Sequence, residues 1–62
     1  MKDIQVGQVW RYKKINRPNV VVCNINKYSE MIMLHHINEE RNKFELAWKI
    51  FIDSFELVDT NS

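Results

Sequence analysis

Two adjacent histidines, His35 and His36, one cysteine, Cys23, and a scatter of carboxylates are the residues of this chain whose chemistry could go beyond packing. If the histidines lie in a strand, successive side chains leave on opposite faces, and the pair cannot hold one ion together. One is then expected half-buried and the other solvated. Cys23 follows three valines, and a small thiol in such a run reads as core. A Cys–His pair would arise only if a neighbouring strand set a histidine beside it. One thiol and two histidines fall short of the four ligands of a structural zinc site, and a single cysteine allows no internal disulfide. The carboxylates cluster at Glu39 and Glu40 and recur at Glu45, Asp53, Glu56 and Asp59. Paired carboxylates do acid–base work only inside a pocket that drives their pKa values apart, and 62 residues leave little room for one. They read as solubilising groups. No enzyme, cofactor or metal site is expected.

The remaining candidates are surface features. Trp10, Arg11, Tyr12, Lys13, Lys14, Arg17, Lys27 and Tyr28 interleave aromatic rings with cations. Such a pattern suits single-stranded nucleic acid, whose bases stack while its phosphates meet Lys or Arg. On this reading Arg11, Lys13, Lys14, Arg17 and Lys27 form the interface. The competing reading has Trp10 anchoring the core while the long cations cover it. A net charge of only +1 favours that second view and also excludes a strongly acidic nucleic-acid mimic. Met31 and Met33 share one strand face and are either core or, if Ile32, Leu34 and His36 point inward, an adaptable patch for a protein partner.

These residues must be held by short strands. Gln8 to Ile15 alternates with period two, and Asn16-Arg17-Pro18-Asn19 supplies turn chemistry before Val20 to Ile25. Asn26 to Ser29 turns the chain again into a third strand, Met31 to Ile37. After the polar loop from Asn38 to Asn42 two periods compete. A strand aligns Phe44, Leu46, Trp48, Ile50 and Ile52, whereas a helix gathers Phe44, Ala47, Trp48, Phe51, Ile52 and Phe55 into one stripe. The helix strands Leu46, Ile50 and Leu57 outside that stripe. The reading adopted is a strand over Lys43 to Trp48, a helical turn near Ile50 to Ser54, and a last strand through Phe55, Leu57 and Val58.

The opening Gly7-Gln8-Val9-Trp10-Arg11-Tyr12-Lys13, the Ser29-Glu30 ahead of an apolar strand, and the closing Trp48, Phe51 and Phe55 resemble short SH3-like barrel proteins of bacteria and phages. That resemblance implies a mainly β fold, a five-stranded SH3-like barrel over residues 1–62 with one short helical turn before the last strand. It also implies a binding role rather than an activity. Where such barrels often carry Gly or Asp-Gly between the first two strands, this chain has Arg17-Pro18-Asn19. Ile, Asn and Lys make up 20 of the 62 residues, a bias fitting an AT-rich bacterial or phage genome.

A chain of this size buries only about 60% of the surface its unfolded form exposes, so self-association is expected as readily as a monomer. The polar N-terminus and the lack of an apolar run of roughly 20 residues point to a cytoplasmic protein with no membrane partner. The function expected is docking on a host or phage protein through a sheet edge or aromatic patch, with Tyr12, Arg17, Tyr28, Met31 and Met33 as contacts. Nucleic-acid binding is the alternative, and an oligomeric virion component a third.

Overall fold

The computed structural model describes residues 4–58, with elements in the order β1 (Val9–Tyr12), β2 (Val20–Asn26), β3 (Met31–His36), β4 (Lys43–Ala47), α1 (Trp48–Ser54) and β5 (Phe55–Leu57). All ladders are antiparallel and form one sheet in the order β4-β3-β2-β1-β5. β4 and β5 are its two edges, and no ladder joins them among the described residues. The fold is therefore mainly β with one short helix, and its sheet is open on one side.

Register decides which residues face inward. Trp10 lies opposite Val20, Val20 opposite His36, Val22 opposite Leu34, and Leu34 opposite Phe44, so these side chains share one face. Between Val22 and Asn24 the β2–β3 register shifts by one residue, at Cys23. Without that bulge strict alternation would turn Asn24 inward and Ile25 outward. The extra residue instead pairs Ile25 with Ile32 and leaves Asn24 exposed. The core comprises Ile4, Trp10, Val20, Val22, Ile32, Leu34, Phe51 and Phe55, and no polar or charged residue among those described is buried.

Turn chemistry sets the corners. The Asn26 carboxamide oxygen accepts the backbone N–H groups of Tyr28 and Ser29 at 3.0 and 3.2 Å, fixing the β2–β3 turn. Glu30 closes that turn with φ 58°. Gly7, at φ 96°, turns the segment before β1 so that its N–H meets the Val22 carbonyl at 2.8 Å.

In the disputed stretch, the structure divides the two periods at Ala47. Phe44 and Leu46 pack inward as strand residues, while Trp48, Phe51 and Phe55 pack as the helical stripe predicts. The helix begins at Trp48, earlier than the turn expected from Ile50, and the Trp48 N–H, which has no partner within the helix, bonds the Glu30 carbonyl at 2.8 Å. β1 ends at Tyr12, short of the expected Ile15. The Lys13 N–H still bonds the Ser54 carbonyl, but the backbone bends over residues 13–15 and leaves the sheet. Both histidines are half-buried, where one was expected solvated. Cys23 is also half-buried, outside the core expected for it, because Val20 and Val22 face inward and the residue after Val22 turns to the outer face. Asp59 lies outside the described residues. No helix among those described is long and apolar enough to cross a membrane.

Candidate docking groove

Because the sheet stays open, its inner face is not wholly covered. A groove of about 470 Å³ lies along the seam, lined by Tyr12, Phe44, Leu46 and Phe55 from the strands. Ile15, from the bend after β1, and Ile50, from α1, also line it; they are 54% and 55% exposed. Lys14, Asp53 and Ser54 complete its wall. Apolar surface therefore dominates, with one cation and one anion beside it.

An aromatic train connects the groove to the core. Trp10 packs on Phe51 at 4.7 Å between ring centroids, Phe51 on Phe55 at 5.1 Å, and Phe55 on Tyr12 at 4.4 Å. Tyr12 then stacks on His36 at 6.0 Å, and His36 meets Phe44 at 5.2 Å. Offset and tilted contacts of this kind suit the ring quadrupole. The Tyr12 hydroxyl and His36 Nε2 share a hydrogen bond of 2.7 Å, which holds the ring against β3. His36 Nδ1 lies 3.7 Å from a Glu39 carboxylate oxygen, too far for a hydrogen bond. The His35 ring instead bonds the His36 carbonyl at 2.9 Å. No three His, Cys, Asp or Glu side chains among the described residues converge as metal ligands would.

The residues expected at a partner surface divide between two faces. Tyr12 lines the groove, and the Arg17 guanidinium sits over its ring at 5.9 Å. Met31 and Met33 alternate with the buried Ile32 and Leu34, so they lie half-buried on the opposite, outer face. Tyr28 is fully exposed in the β2–β3 turn. β2 separates that turn from Arg17, a span of roughly 23 Å for its seven residues. The cations are similarly dispersed. Arg11 projects from the outer face to Glu56 at 2.6 Å, the Lys13 ammonium donates to the Ile52 carbonyl at 3.1 Å, and Lys27 shares the turn with Tyr28. Only Lys14 and Arg17 stand near the groove.

Sequence reasoning did not single out Phe44, Leu46, Ile15 and Ile50 as a site. A signal was present: Leu46 and Ile50 fall outside the helical stripe, and Ile15 sits at the frayed end of a strand. Leu46 and Ile50, which the helical stripe leaves out, are among the residues the structure gathers at the seam. No family model, curated protein or solved structure matches this chain.

Proposed function

We propose that this chain is a non-enzymatic binding module that docks on a protein partner, seating apolar side chains of an extended partner segment in the groove between β4 and β5. The strand order, with a helix between the last two strands, supports reading the sheet as an SH3-like barrel left open at that seam. The observation carrying the proposal is the pairing of an aromatic wall with two exposed isoleucines beside unpaired strand edges. An extended segment suits such a site, since every second side chain of a strand turns to one face and can enter the groove.

The test is selection from a displayed library of random linear peptides. Enriched sequences should carry apolar residues two positions apart, because alternate residues of a strand share a face. Binding should weaken by about tenfold or more in Ile15→Asp and in Ile50→Asp, equivalent to about 1.4 kcal/mol. Both side chains are more than half exposed, so the fold tolerates the changes. Absence of enrichment, or equal binding by both variants, would refute the reading.

A second reading, single-stranded nucleic acid, draws on Arg17 over Tyr12 with Lys14 close by. Salt separates the two. Phosphate contacts lose affinity steeply between about 50 and 200 mM salt through counterion release, whereas apolar docking holds.

A further inference from the structure

The backbone of β4 points to a second copy of this chain. Within an antiparallel pair, hydrogen-bonded positions recur at every second residue. The Trp48 N–H bonds the Glu30 carbonyl, and the β3–β4 register runs unbroken from there to Lys43. Phe44 and Leu46 therefore spend their backbone groups on β3, while the N–H groups of Lys43, Glu45 and Ala47 point to the open edge, as do the carbonyls of Lys43 and Glu45. The edge of β5 is less available: it belongs to a strand of three residues, and its Phe55 N–H already bonds the Phe51 carbonyl.

We infer that two copies associate through their β4 edges about a two-fold axis at Phe44, which sets Lys43 of each copy opposite Glu45 of the other. Three observations favour this register. First, the unpaired backbone groups of Lys43 and Glu45 meet one another, so two hydrogen-bonded pairs form, each exchanging both N–H···O bonds. Second, both side chains are exposed and lie on the outer face, where opposite charges across strands attract. An axis at Lys43 or at Glu45 would confront lysine with lysine or glutamate with glutamate, and an axis at Leu46 would set Glu45 opposite Ala47 and leave Lys43 without a partner on the facing strand. Third, Phe44 meets its own copy at the axis in the closer, non-hydrogen-bonded type of pair, which favours aromatic contact. Lys43 now donates to the Glu40 carbonyl at 2.8 Å, an exposed bond given up when its ammonium turns to the second copy. Such pairing is isologous and closes at two. It also covers an edge that a lone domain leaves open to wrong partners.

The test uses sedimentation equilibrium on the wild-type chain and charge-reversed variants, from about 10 µM to 1 mM, since interfaces this small are weak. The wild type should form dimers. Lys43→Glu places carboxylates at both positions and Glu45→Lys places ammonium groups at both. Each variant alone should associate at least about tenfold more weakly, as two attractive pairs become repulsive. Mixed in equal amounts, the two variants should form a heterodimer, because every pair across the axis again joins opposite charges. The double exchange Lys43→Glu with Glu45→Lys should restore self-association, and it carries the test if either single variant folds poorly. A wild type that is monomeric throughout, single variants that dimerise like the wild type, or a mixture and double exchange that both stay monomeric would overturn the inference.

Discussion

Replacing Phe51 by alanine should remove most of the stability of this protein. A helix of seven residues is well below the length of about 12 to 15 at which isolated helices become even marginal in water. α1 also has no side-chain cap, no acidic residue in its first turn and no basic residue in its last. What holds it is Phe51, fully buried between Trp10 and Phe55. Truncating a buried phenylalanine to alanine costs about 3 to 5 kcal/mol. At 0.05 to 0.15 kcal/mol per residue, 62 residues carry about 3 to 9 kcal/mol in total. Phe51→Ala is therefore expected to be largely unfolded or barely folded, and Phe51→Leu, at about 1 to 1.5 kcal/mol, gives a measurable intermediate case. Urea unfolding followed by tryptophan fluorescence is the assay, since Trp10 touches Phe51 and Trp48 begins the helix. With a slope near 1 kcal/mol per molar urea, the Phe51→Leu midpoint should fall by roughly 1 M or more. Ile50→Ala, on the same helix but 55% exposed, should stay within about 0.5 kcal/mol of wild type. A loss below about 1 kcal/mol for Phe51→Ala, or equal losses at both positions, would refute the view that this ring pins the helix to the sheet.

Gly7→Ala should cost about 1 to 2 kcal/mol in the same assay. A Cβ there would have nothing within 4 Å, so the loss measures φ strain at +96° alone, and Gly7→Asn should lose less. Trp48→Phe should leave stability unchanged or raise it by up to about 1 kcal/mol, because the buried indole N–H has no hydrogen-bond partner among the described residues. A large loss would show that the packing of the indole against the core, or a hydrogen bond its N–H makes in solution, outweighs the relief of that donor. Tyr12→Phe should cost about 0.5 to 1.5 kcal/mol by removing the bond to His36, and an unchanged midpoint would mean that water replaces it at no cost.

The strands were legible where apolar residues alternate or cluster within a few positions, as in β2 and β3. The sheet's coarse layout followed from them, with a helix placed correctly between the last two strands. The bulge at Cys23 was not read, although Val22 and Ile25 stand three apart, an odd interval that no regular strand can turn to one face. The helix start was misplaced because Trp48 satisfies both periods, and periodicity alone does not choose between them. The groove was less accessible still. Its members come from β1, β4, α1 and β5, and which of them meet depends on how far the sheet curls and where it fails to close. Alternation reports which way a side chain points, and nothing in it reports the gap between two edges.

The ladder between β1 and β5 joins Arg11 to Glu56, partners 45 residues apart along the chain, whereas β2, β3 and β4 are joined through short neighbouring turns. Loop-closure entropy makes the local meander the cheaper structure to nucleate, and the distant pairing must wait for it. Folding should accordingly be slower than for a helical domain of equal length, with β1 and β5 docking after the meander has formed. Substitutions confined to the β1–β5 ladder should then speed unfolding while leaving the folding rate nearly untouched.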